Sequence, residues 1–226
     1  LHSCMNEKLN IDCEVPVTEQ LLFQLRNFYI PVISQNMPDL FPIELNAVGV
    51  PPLDPIGSAV ATGNSGGVDS FYTIVRYLNE NEEYKLTHLL FNNISTEDDD
   101  EKRIRAWFEK EKNEKRQIAK ELGLQSIFLY SNLFSFYQSH FIYNYYYAAQ
   151  YISAPYALVK LIGKYYYSSS YSFSDFTINH KKMTDGSNFD LLALDCFSTR
   201  NLKIYSAGSE TGRIEKTIAI SNNNVA

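Results

Sequence analysis

Apolar and polar positions alternate from Leu9 to Val15, and after Pro16-Val17-Thr18-Glu19 the spacing changes to that of a helix, with Leu21, Leu22, Leu25 and Phe28 on one face. The change of period predicts a strand followed by a helix. A short strand-like segment from Ile43 to Val50 sits among Pro42, Pro51, Pro52 and Pro55, so the PPLDP stretch reads as a linker. This predicts an N-terminal subdomain over residues 1–55 and a main domain over residues 56–226. In the main domain, strand-like runs (Ser58–Gly63, Lys85–Phe91, Gln125–Tyr130, Lys164–Tyr171, Leu202–Ser206) alternate with helical ones (Val68–Asn79, Glu97–Leu122, Phe141–Ile162 interrupted near Pro155, Glu210–Ile220). Such alternation implies crossover connections. The expected fold is α/β, a five-stranded parallel sheet with helices on both faces, preceded by a small N-terminal α+β segment. Ligands of such sheets bind at the carboxyl ends of the strands.

The helix expected over Glu97–Leu122 has Thr96 as its N-cap, the acidic run Glu97–Glu101 in its first turn and Gly123 just past its end. Asp98-Asp99-Asp100 therefore reads as a complement to the helix dipole rather than as a metal site.

Composition narrows the class. At 226 residues and 45% hydrophobic, the chain can bury a core without disulfides or a structural metal. Its net charge of -6 argues against a nucleic-acid backbone as the main partner. Cys4, Cys13 and Cys196 form no C-x2-C pair, which predicts reduced thiols and a cytoplasmic setting. No apolar run approaches the roughly 18 residues of a membrane span, so no membrane partner is expected. The opening Leu1-His2-Ser3-Cys4 has neither an initiating Met nor a signal-peptide pattern, and the chain reads as a fragment.

The stretch Ala59-Val60-Ala61-Thr62-Gly63-Asn64-Ser65-Gly66-Gly67-Val68-Asp69-Ser70-Phe71 carries the most chemical information. A small-residue strand enters a Ser-Gly-Gly turn and a helix begins at once. Glycines let backbone N–H groups approach a ligand, and the helix N-terminus adds unpaired donors and partial positive charge, so phosphate is the natural occupant. Ser65 and Ser70 offer hydroxyls to phosphate oxygens, and Asp69 either orients the loop or holds a magnesium ion bridging phosphates. Neither G-x-x-x-x-G-K-[ST] nor G-x-G-x-x-G is present.

Ser65-Gly66-Gly67-Val68-Asp69-Ser70 resembles the signature of the N-type PP-loop ATP pyrophosphatases, in the adenine nucleotide alpha hydrolase-like superfamily, a group that includes GMP synthetase, asparagine synthetase, tRNA thiolation enzymes and 7-cyano-7-deazaguanine synthase. The resemblance covers roughly residues 58–220. It implies that the loop holds the pyrophosphate portion of ATP and that AMP passes to a substrate oxygen with release of pyrophosphate. Leu89-Leu90-Phe91-Asn92-Asn93 stands where relatives recognise adenine, making Phe91 and Asn92 the candidates for that role. Glu210-Thr211-Gly212-Arg213-Ile214-Glu215-Lys216 resembles the E-x-x-R-x-E-K segment of a poorly characterised subgroup, and Leu194–Thr199 resembles its L-D-P-L-x-S-T segment.

On a helix starting at Glu210, Arg213 and Lys216 share a face and both reach toward the triphosphate; a solvated charge face is the rival reading. Members of that subgroup usually carry further sequence before the first strand and a C-terminal cysteine-containing segment. A chain stopping at Val225-Ala226 is thus expected to be truncated or a shorter variant.

The expected activity is ATP-dependent adenylation of a small-molecule or peptide acceptor, with Asp69, Arg213 and Lys216 as catalytic residues, ATP and Mg2+ as cofactors, and an amine, ammonia or sulfide displacing AMP. A non-catalytic adenine-nucleotide sensor is the alternative from another class. A tRNA-modifying thiolase is a third, opposed by the acidic charge balance and the missing cysteine pair. Homo-oligomerisation stays open. The tyrosines of 143–156 and 165–171 read mainly as core and rim, with Tyr171 and Ser172 candidates for an acceptor pocket. His88 and His140 lack ligand-spaced partners and read as structural.

Overall fold

The computed structural model describes residues 1–94, 100–133, 147–183 and 185–223. The chain begins with α1 (His2–Glu7) and β1 (Ile11–Thr18), followed by α2 (Glu19–Gln24). That helix runs through a wider turn over Leu25–Tyr29 into α3 (Ile30–Asn36), and β2 (Leu45–Val50) comes next. Strands β1 and β2 pair in parallel as a sheet of their own. The strand expected to end at Val15 continues to Thr18. Register shifts between Cys13 and Val17, so Pro16 falls at an irregularity where no ladder N–H is required.

The main sheet contains β3 (Ala59–Gly63), β4 (His88–Asn92), β5 (Gln125–Leu129), β6 (Ile162–Ser168) and β7 (Lys203–Ala207). All pairings are parallel, in the order β5-β4-β3-β6-β7. The chain therefore builds outward from β3 to one edge, returns, and builds outward from β6 to the other. The crevice between β3 and β6 is the point where the order reverses.

Strand alternation divides the core in two. Ala59, Ala61, Tyr165 and Tyr167 face Ile152 of α6 (Tyr147–Ala157) and Ala193 of α7 (Asp190–Phe197). Val60, Leu89, Tyr166 and Ala207 face Ile74 of α4 (Val68–Tyr77) and Ala119 of α5 (Glu101–Glu121). Helices thus cover both faces. Leu22, Leu25, Tyr29 and Ile33 join the first core, so the N-terminal segment packs into the sheet domain.

Several boundaries move from their sequence-derived positions. The described part of α5 starts at Glu101, with Asp100 as N-cap accepting from the N–H groups of Lys102 and Arg103; Thr96–Asp99 lie outside the described residues. Helix α6 ends at Ala157 rather than Ile162, because Ile162 already pairs with Ala59 in the sheet, and residues 141–146 lie outside the described part. Strand β6 ends at Ser168 rather than Tyr171: Ser169 donates its N–H to Ala207, and its hydroxyl bonds the Tyr171 carbonyl as the chain turns out of the sheet. Strand β4 begins at His88 because Lys85 belongs to a turn closed on Asn81. The last helix, α8 (Arg213–Ser221), begins three residues after Glu210, with Gly212 as its extended N-cap.

The cysteines Cys4, Cys13 and Cys196 are free. Among the described residues no helix is long and apolar enough to cross a membrane.

Candidate functional site

The Ser-Gly-Gly turn leaves β3 at the reversal point and enters α4 directly. Gly66 takes φ +83°, a conformation that side chains resist, and it lets the loop reverse within two residues. The loop is braced by its own hydroxyls. Ser65 Oγ donates to Ser70 Oγ at 3.1 Å, Ser70 Oγ donates to the Gly67 carbonyl at 2.9 Å, and Gly67 N–H donates to Ser65 Oγ at 3.3 Å. Both hydroxyl protons expected to meet phosphate are therefore committed inside the loop. What it presents outward is backbone: the N–H groups of Ser65, Gly66, Val68, Asp69 and Ser70 make no hydrogen bond among the described residues. The Val68 side chain turns to an apolar groove with Phe71, Ile74 and Ile118.

Above the loop lies a cleft of about 660 Å3, reached by Gly63, Ser65, Gly67, Asp69 and Ser70 on one side and by Arg213. Its other wall is aromatic, formed by Tyr147, Tyr151, Tyr165, Tyr167 and Tyr171 with Asp185 and Ser187. Tyr165 and Tyr167 share a face of β6 because they are two apart. Sequence reading placed Tyr171 at this wall, whereas Ser172 caps the short turn Phe173–Asp175. Tyr143, Tyr145, Tyr146 and His140 lie outside the described residues. His88 bonds Thr87 Oγ1 through its ring nitrogen at 2.8 Å.

Asp69 organises the cationic side. Arg213 donates to its Oδ2 at 3.0 Å, and Lys216 donates to its Oδ1 at 2.9 Å and to the Ser169 carbonyl at 2.6 Å. The two cations differ in setting. Arg213 is 65% exposed at the cleft mouth, while Lys216 is 1% exposed and lies against Gly208. They do share a side of α8, yet only the arginine lines the cleft. Each Asp69 oxygen already accepts from a cation, and the two positive charges beside it make this carboxylate a poor anchor for a magnesium ion. Among the described residues no three His, Cys, Asp or Glu side chains group as metal ligands.

The proposed adenine residues lie at the end of β4. The Phe91 ring is buried and stacks on Phe108, with ring centres 5.1 Å apart, beside Trp107 and Phe128. Asn92 Oδ1 accepts the N–H of Ile94. Neither side chain lines the cleft.

Three groups escaped sequence reading. Lys115 of α5 brings its Nζ to the underside of Gly66, where a Cβ would stand 2.9 Å from it. It lay unseen in a charge-rich helix where any lysine reads as solvated. Asn64 Oδ1 is buried at the foot of the loop with no hydrogen-bond partner among the described residues. Asp190 begins α7 in the interior, where burial pushes its carboxyl up to about 8 and Tyr167 donates to its Oδ2 at 2.9 Å. Burial and the nearby Asp190 push the Tyr167 hydroxyl well above its ordinary range. Comparison with known proteins finds no match: no family model fits the chain, and neither a curated protein nor a solved structure is similar to it.

Proposed function

We propose that the protein binds ATP with its phosphates over residues 65–70 and transfers AMP to an oxygen of a small-molecule or peptide acceptor, releasing pyrophosphate. One observation carries the reading: a run of unpaired backbone N–H groups caps α4 at the reversal point of a parallel sheet, beside a cleft large enough for a second substrate. The resemblance of Ser65–Ser70 to the PP-loop signature supports the same nucleotide.

In this reading the acceptor oxygen attacks the α-phosphorus as the bridge bond to the β-phosphorus breaks, and the bond's electron pair leaves with pyrophosphate. The loop N–H groups and the helix dipole meet phosphate charge. Arg213, already oriented by Asp69, meets the charge that grows on the leaving group. Magnesium enters as an ion carried by the phosphates, since Asp69 is occupied. An amine, ammonia or sulfide then displaces AMP.

A second reading, a nucleotide-binding module without turnover, is favoured by Lys216: its ammonium is committed to Asp69 and Ser169, as in a structural tie. Incubation with α-labelled ATP and a metabolite or peptide pool separates the two. Acceptor-dependent AMP and pyrophosphate support adenylation; nucleotide binding without either product supports the module; absence of nucleotide binding removes both.

A further inference from the structure

We propose that Lys115 is a phosphate ligand of the nucleotide loop, supplied from beneath it by α5; the inference rests on the nucleotide reading above. Lys115 lies in the C-terminal half of α5, and its side chain is 7% exposed. A lysine buried to that degree normally has its ammonium satisfied by close acceptors. Here it makes no hydrogen bond among the described residues, and the nearest carboxylate oxygens, those of Glu111 and Glu114, stand at 3.8 and 4.0 Å. Those separations give attraction without a hydrogen bond.

The ammonium is instead directed at the loop. It lies close enough to Gly66 that a Cβ there would meet it at 2.9 Å, and 6.0 Å from the centre of the Phe91 ring. Lys115 thus stands between the Ser-Gly-Gly turn and the end of β4, the two places where the chain is expected to meet phosphate and adenine. Gly66 is required by its φ of +83°, and a Cβ there would also displace the ammonium.

A polyanion on the loop completes this arrangement. Its oxygens take hydrogen bonds from the Ser65 and Gly66 N–H groups on one side and from an ammonium held by a largely buried stem on the other. Arg213, bonded to Asp69 of the same loop, lines the cleft above it. The charge to be matched is that of a di- or triphosphate.

The test compares ATP with adenosine, by calorimetry, on wild type, Lys115→Met and Lys115→Gln. Methionine keeps the apolar stem and removes the charge, and the two carboxylates it leaves, Glu111 and Glu114, reach solvent and stand too far from Lys115 for a hydrogen bond. Glutamine supplies a second neutral variant should the first not fold. The expected result is a loss of at least tenfold in ATP affinity with adenosine affinity and ligand-free melting temperature unchanged, and recovery of most of the loss in Lys115→Arg. Wild-type ATP affinity in the neutral variants overturns the role of Lys115. So does an equal loss for ATP and adenosine, which marks a structural lysine. Wild-type protein that binds neither ligand removes the proposed function itself.

Discussion

Arg213 and Lys216 occupy one segment and touch one carboxylate, yet burial gives them different tasks. Lys216, inside the fold, completes a charge pair whose loss leaves Asp69 facing the interior with half its partners. Lys216→Met is expected to lower stability by about 3 kcal/mol, in the range for breaking a buried pair. Arg213→Ala is expected to change stability by less than about 1 kcal/mol, as for exposed pairs, while weakening ATP turnover. Urea unfolding of both variants checks this, and equal losses would refute the division. Asp190 gives a pH signature. Its carboxyl ionises near its ordinary value of about 3.9 when unfolded but only near 8 when folded, so the unfolded chain sheds the proton first. The folded state therefore loses stability as pH rises from about 4 to about 8, and the effect is complete above that window. Tyr167, Tyr29 and Asp185 face the same group and shape its field. Buried His2, held down to about 3, works in the opposite direction below pH about 6.5. The comparison is thus Asp190→Asn against wild type: melting temperatures that converge at pH 4 and favour the variant increasingly toward pH 8. Parallel curves would show that Asp190 is not the titrating group. None of this residue-level asymmetry is written in the sequence, because burial of Lys115, Lys216 and Asp190 depends on which helices lie over them.

Helices and strands were largely legible, since period and glycine placement announce them, and the strand–loop–helix around Ser65 was placed within a residue. Ends failed where local pattern and pairing disagree. Ser168-Ser169-Ser170 joins Tyr165-Tyr166-Tyr167 to Tyr171 with no Gly or Pro to mark an end, but the ladder with β7 stops at Ser168 opposite Ala207, and beyond Ser168 the chain turns into the cleft. The turn before α8 shows the same limit. A helix from Glu210 fits the pattern, whereas Gly208 at φ +79° and Gly212 in an extended conformation delay it to Arg213. That delay brings Arg213 to the first turn and sends Lys216 inward. Gly208→Ala meets both the strained φ and contacts of 3.1 to 3.2 Å with Lys216 and Tyr72, so it is expected to cost more than about 1 kcal/mol. It should also shift the Asp69 pairings. Thermal melting at wild-type temperature would mean that the turn relaxes freely and does not set the position of α8.

At the scale of the molecule, the proline-rich stretch suggests an N-terminal subdomain and linker over residues 1–55; linker composition says where contacts are sparse along the chain but not where they form in space. In the fold the helical segment over residues 20–29 lies against α7 and the turn after it. The Tyr29 ring meets Phe197 edge-on with centres 5.2 Å apart, Gln24 donates to the carbonyls of Asp195 and Ser198, and Gln20 accepts the N–H of Arg200. Leu22 and Leu25 share a core with Ala193 and Ile204, so this segment supplies one wall of the core beneath the tyrosine face of the cleft. The shared core implies cooperative unfolding of the whole chain, with two widely separated reporters available. The single tryptophan, Trp107, lies on α5 beside Phe91, on the far side of the sheet from this wall. Leu22→Ala removes a buried leucine from the N-terminal segment and is expected to cost about 2 to 5 kcal/mol. If the chain is one cooperative unit, the urea midpoint read from Trp107 fluorescence moves down by the same amount as that read from far-ultraviolet circular dichroism. A tryptophan midpoint that stays in place while the dichroism splits into two steps would establish instead that residues 1–55 fold and unfold apart from the five-stranded sheet.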